Sequence, residues 1–182
     1  MSESDLIRQA RQGDPDAWEN LVVSHQAAVF RLAYLLLGDP DDAEDAAQET
    51  FLRAWHALHR FDASRPLRPW LMQIVSNLVS NRRRSLGRQF NALMRFTRQP
   101  VDPPSSLPED DSRSLWQAVR TLSFQHQQVI YLRFFLGLGE QEMSETLGVA
   151  PGTVKSRLHR ALAALRSEIE RSFPHLQESL VE

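Results

Sequence analysis

The chain of 182 residues has no cysteine, which excludes disulfides and thiolate metal sites and favours, weakly, a reducing cytosolic compartment. It has no run of about 18 consecutive apolar residues, so no membrane span is expected. The opening "MSESDLIRQARQGD" lacks the apolar stretch of a signal peptide. Low-complexity tracts and short-period repeats are absent, and no stretch sustains the apolar–polar alternation of a strand. Enzyme signatures are missing too. There is no glycine-rich phosphate loop and no nucleophile elbow. The six histidines, at 25, 56, 59, 126, 159 and 175, are scattered, and no glutamate is followed three residues later by histidine, the spacing a di-metal helix bundle needs. His56 and His59 share a helix without carboxylates at ligand spacing and read as satisfied surface residues. No catalytic residue, metal site or cofactor is called for.

What is present is a core-forming 42% of hydrophobic residues and 24% charged residues, ordinary for a folded protein. The net charge of −2 and pI near 6.3 hide a segregation. Residues 1–59 carry 4 basic and 11 acidic side chains, whereas residues 60–100 carry 9 basic and 1 acidic. Residues 101–145 return to net −4 and residues 146–182 to net +1. The sign of each surface therefore matters more than the total.

All periodic segments have helical spacing, so the fold class is all-α. "DPDAWENLVVSHQAAVFRLAYLLLG" opens on Asp14 as N-cap with Pro15 at the first helical position, and stops at Gly38. Its inward stripe contains Trp18, Leu21, Val22, Val29, Leu32 and Leu36. Asp39 and Pro40 repeat the device before Ala43, Ala47, Phe51, Ala54, Trp55 and Leu58. After a break at "FDASRPLRP", a third long helix starts at Pro69 with Trp70, Leu71, Ile74 and Leu78 inward; a short helix near Leu6–Ala10 packs on this bundle. "QPVDPPSSLPEDD", residues 99–111, holds four prolines and reads as a linker, because proline removes donors and disfavours helix before it. Four more helical segments come after it. The expected organisation is a helical bundle over 1–98, a linker over 99–111, a helix-turn-helix domain over 112–173, and a short tail over 174–182.

In "GVAPGTVKSRLHRALAALR", residues 148–166, an advance of 100° per residue gathers Val154, Leu158, Ala161, Leu162 and Leu165 in one sector. Ser156, His159 and Arg160 point the opposite way, and Thr153, Lys155 and Arg157 flank them. Met143, Leu147 and Val149 supply the core side of the preceding helix, and Gly148 makes the turn. This is a helix-turn-helix pattern, whose second helix offers its N-terminal residues to the major groove. Arg160 suits a bidentate grip on guanine, Ser156 and His159 suit base edges, and Lys155 and Arg157 suit phosphates. Periodicity alone also fits an ordinary amphipathic helix with a solvated basic face; the short preceding helix, the glycine turn and the Pro-Gly entry favour DNA reading.

"LGV" followed by "GTVKSRLHRALAALR" resembles region 4 of the sigma-70 family, in its extracytoplasmic-function (ECF) subfamily. "DAEDAAQETFLRAW" resembles region 2 of the same subfamily, and "RPWLMQIVSNLVSNRRR" resembles the subfamily's next segment toward the C-terminus. Asn81, often Asp in the subfamily, and Met143-Ser144, commonly Ile-Ala, are departures that bear on promoter preference. The resemblance implies a cytoplasmic bacterial transcription initiation factor that binds core RNA polymerase and directs it to promoters. The C-terminal helix-turn-helix would read the −35 element and the N-terminal domain would read and melt the −10 element.

Two further groups of residues gain a role from this resemblance. The exposed face of the second long helix carries Asp42, Asp45, Gln48, Glu49, Leu52 and Arg53. Acids in a first helical turn complement the macrodipole, but Gln48 and Glu49 lie two turns in. The resemblance implies that this face docks on the clamp helices of the polymerase β′ subunit, with region 4 on the β subunit. The loop from Phe61 to Pro69 would capture a flipped promoter base, with Phe61 and Asn77 supplying an aromatic face and an amide. Arg65, Arg68, Arg82, Arg83 and Arg84 would hold strand phosphates, and Trp70 reads as core. Anti-sigma proteins hold many such factors, and the linker either spaces the domains or threads the polymerase. A different class remains open: a regulator that binds operator DNA without polymerase, which shares the helix-turn-helix but requires an effector pocket or a dimer helix in the first domain.

Overall fold

The computed structural model of the protein describes residues 2–90 and 109–173, with side chains over 2–84 and 113–173. The linker expected over 99–111 lies outside the described residues up to residue 108, and its last three residues open a helix. The expected tail, 174–182, also lies outside them. Contacts divide the chain into two compact units, residues 1–98 with 144–148, and residues 99–143 with 149–182. All regular elements among the described residues are helical.

In the first unit, α1 spans Glu3–Arg11, α2 Pro15–Leu37, α3 Pro40–Ala57 and α4 Leu67–Phe90, with a 3₁₀ turn at Leu58–Arg60 between the last two. The helix starts follow from local chemistry. Asp14 Oδ1 accepts the amides of Asp16 at 3.0 Å and Ala17 at 3.3 Å, and Pro15 sits where a missing N–H leaves nothing unmade. Asp39 does the same for the Asp42 amide at 2.9 Å. Gly38 ends α2 at φ 80°, donating to the Tyr34 carbonyl at 2.8 Å, a left-handed conformation that glycine adopts without a Cβ clash. Ser2 and Asp5 form a capping box on α1.

Helix α2 is the centre of this unit, packed against α1, α3 and α4. By length and composition alone its 23 residues could cross a membrane. Leu21, Val29, Leu32, Ala33, Leu35 and Leu36 are nevertheless buried within the bundle, the mark of a central helix rather than of one facing lipid. Helix α3, packed on α2 and α4, buries mainly small residues, Ala43, Ala46, Thr50 and Ala54, all completely. The Thr50 hydroxyl donates to the Ala46 carbonyl at 2.7 Å, so the buried polar atom is satisfied. Helix α4 starts at Leu67 rather than Pro69, and buries Met72, Val75 and Val79 besides the expected Leu71 and Leu78.

The second unit contains α5 (Glu109–Thr121), α6 (Phe124–Ile130) running into a π-helical turn at Tyr131–Phe135, the first four residues of α7 (Glu140–Leu147), and α8 (Pro151–Ser172). The π turn, in which the Leu136 amide reaches back to Tyr131 O at 3.0 Å, has no signal in the sequence pattern. It places Tyr131 and Phe135 around Trp116, with ring centroids 5.4 and 6.0 Å from the indole. Gly137 at φ 68° closes it, with Leu138 N donating to Leu132 O at 2.9 Å. Glu142 caps α7 by accepting the Gly139 amide at 2.8 Å. Gly148, at φ 64°, turns the chain between α7 and α8 as expected.

Candidate nucleic-acid interface

Helix α8 buries Val154 and Ala161 completely and half-buries Leu158 and Leu165. That orientation leaves Thr153, Lys155, Ser156, His159 and Arg160 exposed on its N-terminal half, with Arg157 half-buried at the edge. Leu162 departs from its expected sector and is 41% exposed, because the core beneath α8 is narrower than the five-residue stripe. Pro151 has no amide hydrogen and no side chain caps the helix start. The positive end of the dipole is therefore available to an anion, such as a DNA phosphate. Two of the outward groups rest on their own helix: the Ser156 hydroxyl donates to Thr153 O at 3.1 Å, and Arg160 Nε to Ser156 O at 3.2 Å. Arg160 commits only Nε and keeps its Nη donors, and the Ser156 hydroxyl keeps its acceptor lone pairs.

The loop between the 3₁₀ turn and α4 is folded on itself. Asp62 Oδ1 accepts both the Ser64 amide at 3.0 Å and the Ser64 hydroxyl at 2.8 Å, while the Arg65 amide donates to Asp62 O at 3.0 Å. These bonds from Ser64 hold the Asp62 carboxyl below the ordinary aspartate range, with smaller help from the Arg65 and Arg11 cations. Arg65 is exposed and Arg68 half-buried.

Phe61, expected to offer its face to an unstacked base, is buried at 7% exposure and packs on Trp70 with ring centroids 4.6 Å apart. Trp70 is half-buried rather than fully core. A base that uses Phe61 must therefore displace or extend this ring pair. Asn77 is exposed, two turns along α4 from Trp70 and on the same face, about 10 Å further on.

The arginines of α4 divide. Arg82 Nη1 donates to Asp42 O and Arg83 Nη1 to Leu36 O, both at 3.4 Å. Arg83 thereby serves the C-terminal carbonyls of α2, where a cation is favoured. Arg84 is exposed and bonded to Asn81 Oδ1 at 2.9 Å on its own helix.

On α3, Asp42, Asp45, Gln48, Leu52 and Arg53 are exposed and Glu49 is half-exposed, so the expected face is brought together by one helix. Arg53 Nε binds Glu49 Oε1 at 2.7 Å, and Gln48 Nε2 lies 3.4 Å from Glu44 Oε1. Sequence reasoning missed what adjoins this face: a groove of about 920 Å³ between α2 and α3, lined by Trp18, Val22, Phe30, Gln48, Phe51, Leu52 and Trp55 among others. Trp55, read as core, is 39% exposed, its ring 5.1 Å from that of Trp18. Phe30 is 38% exposed and Leu52 56%. The signal was an apolar stripe on α3 too wide for one buried face: Phe51, Ala54, Trp55 and Leu58 with Leu52 beside them. His56 and His59 are exposed and bonded locally, to Leu52 O and Arg60 Nε. No group of three potential metal ligands occurs among the described residues.

The chain matches two family models in order, Sigma-70 region 2 over residues 21–89 and Sigma-70 region 4 over residues 112–165. It is 38% identical over 152 residues to the ECF RNA polymerase sigma factor SigL of Mycobacterium tuberculosis, covering 80% of this chain and 85% of that protein. It is 32% identical over 178 residues to the ECF sigma factor SigW of Bacillus subtilis, covering 90% and 94%. Among solved structures it resembles CnrH in complex with the cytosolic domain of CnrY, with a TM-score of 0.72 and 28% identity over 93% of this chain and 98% of that one. The sigma factor RpoE of Bartonella quintana, solved with the anti-sigma factor NepR, also gives a TM-score of 0.72, with 25% identity over 85% and 97%.

Proposed function

Since this chain belongs to the extracytoplasmic-function group of the sigma-70 family of RNA polymerase sigma factors, we propose that its three surfaces divide the work of promoter recognition. The chain is a transcription initiation factor that binds core RNA polymerase and directs it to promoters. Helix α8 reads the −35 element, with Arg160, Ser156 and His159 on base edges and Thr153, Lys155 and Arg157 on the backbone. The Phe61–Pro69 loop, Asn77 and the flanking arginines take the −10 element. The α3 face with its adjoining groove docks on the polymerase. The docking assignment rests chiefly on one observation, the exposure of a mixed acidic and apolar α3 face beside an open groove, on the same unit as the basic loop.

The factor contributes no covalent chemistry and acts in the bacterial cytoplasm, where the polymerase is. Operator binding without polymerase is the disfavoured reading, because the chain matches Sigma-70 regions 2 and 4 in order and its relatives are ECF RNA polymerase sigma factors. Two structural neighbours were solved with a partner that includes an anti-sigma factor or a cytosolic domain; an anti-sigma protein covering the α3 groove is the matching expectation here.

Each reader alone is weak. Neutralising Z phosphates gives a salt slope of about −0.9Z, so a handful of contacts yields little affinity at physiological salt. Polymerase binding joins the two readers at a working separation and so raises the effective concentration of the second. The test is transcription from a genomic promoter library by core polymerase with and without the chain. Promoter-specific initiation is expected, abolished by charge reversal at Asp45 and Glu49 with helical content intact. Nanomolar binding of promoter duplex by the free chain in physiological salt would refute the division of labour.

A further inference from the structure

The short helix α1 touches both ends of the loop assigned above to the −10 element. Arg11, in its last turn, donates Nε to the Leu58 carbonyl at 2.9 Å, at the head of the 3₁₀ turn that runs into Phe61. Glu3, in its first turn, accepts the Leu67 amide through Oε1 at 3.0 Å. Leu67 is the first residue of α4, and its amide is one of the donors that a helix start leaves without an internal partner. Glu3 thus caps α4 from another helix.

Neither anchor is loose. The second oxygen of Glu3 holds His25 Nε2 of α2 at 2.9 Å, and the His25 side chain is only 11% exposed. The helix itself is seated by Ile7 and Ala10, 0% and 2% exposed. Glu3 and Arg11 stand eight residues apart, about 12 Å along a helix axis, which sets a fixed distance between the two ends of the loop. Within that span the Asp62–Ser64 bonds and the Phe61–Trp70 stack close the loop on itself. Ile7 and Ala10 belong to the bundle core, whereas the Glu3 and Arg11 bonds to the loop ends are polar contacts outside it.

We propose that Glu3 and Arg11 are positioning residues for promoter reading, with α1 as a brace that fixes the loop and His25 as the backing that fixes Glu3. This rests on the assignment of the loop to the −10 element, so the experiment separates the two.

Because the chain has no cysteine of its own, a single nitroxide at Ala63→Cys reports loop motion in the free full-length protein. Glu3→Ala with Arg11→Ala is expected to sharpen the spectrum, whereas Glu3→Gln, which keeps an acceptor for Leu67, leaves it near wild type. In holoenzyme, the ratio of initiation from a matched −10 element to that from single-base variants should fall about tenfold for the double variant, with core-polymerase Kd changed less than about twofold, the scale of losing charge-assisted bonds at one site only. A Gly-Ser replacement of residues 62–65 is the control.

If that replacement leaves −10 discrimination intact, the loop assignment falls. If it flattens discrimination while the double variant does not, the brace alone falls. An unchanged nitroxide spectrum overturns the brace whatever transcription does. Should the double variant lose helical signal, Arg11→Met, which keeps the stem and loses the donor, decides by the same two readouts.

Discussion

Truncating Leu52 separates docking from folding more cleanly than any other change on α3. Its side chain is 56% exposed, on the rim of the groove between α2 and α3. Fully burying a leucine is worth about 1.5–3 kcal/mol; roughly half of that is still to be gained when a partner covers the residue. Leu52→Ala should therefore cost about 1 kcal/mol of docking free energy, which weakens the Kd for core polymerase about fivefold. Stability should change by less than about 0.5 kcal/mol, as for surface substitutions generally. The carbonyl of residue 52 keeps its bond to His56 Nδ1, so the helix is undisturbed. Trp55→Ala would be less informative, since the indole also packs on Trp18 at 5.1 Å and its loss mixes folding with docking. Competition for core polymerase against a labelled wild-type chain, with thermal melts alongside, gives both numbers. An unchanged Kd with an unchanged melt would refute the claim that the groove's rim meets the polymerase, and would leave docking to the charged residues alone.

Arg160→Ala should cost about 1–3 kcal/mol of discrimination at one upstream base pair, read as the ratio of holoenzyme affinities for matched and substituted −35 elements; equal losses on all sequences would make Arg160 a phosphate contact. Gly148→Ala forces a Cβ onto a residue at φ 64° and should destabilise the helix-turn-helix by about 1–2 kcal/mol, seen as a lower melting temperature; an unchanged melt would refute the strain. Asp62 has its folded pKa depressed by Ser64, so the stability it adds to the loop is fully present above the ordinary aspartate pKa and is lost as pH falls through the lower folded value. Its carboxyl carbon should titrate by NMR with a midpoint below 3.8; a midpoint at or above that would show that the Ser64 bonds do not persist in solution.

The all-α class and most helix boundaries were legible because their signals are local. Asp14, Asp39, Gly38 and Gly148 act within four residues of the helix ends they set, and a reader of the sequence meets cap and helix together. The outward set on α8 and the charged set on α3 were legible for a related reason: helical geometry alone decides which residues share a face. What escaped depends on the width and depth of neighbouring elements. Periodicity places Leu162 and Trp55 on apolar sectors, but only the packed partners determine how much of each sector is covered, and both sectors are wider than the cover. Phe61 escaped in the other sense. Its loop setting suggested an available ring, and nothing in the sequence marks that Trp70, on the next helix, lies against it. The π turn at Tyr131–Phe135 and the anchors from Glu3 and Arg11 to Leu67 and Leu58 join residues whose relation no periodicity encodes.

The basic segment illustrates why counting charges overstates a DNA reader. Residues 60–100 carry nine basic side chains, yet Arg82 and Arg83 are directed at backbone carbonyls of Asp42 and Leu36. A guanidinium has five N–H donors, so each keeps others for a phosphate, but only from the position that its carbonyl contact fixes. Arg84 is likewise committed to Asn81, although that pair is exposed and easily exchanged. Arg82 ties the C-terminal part of α4 to the first turn of α3, and Arg83 ties it to the end of α2. A partner that shifts the first turn of α3 therefore also changes what Arg82 is free to hold.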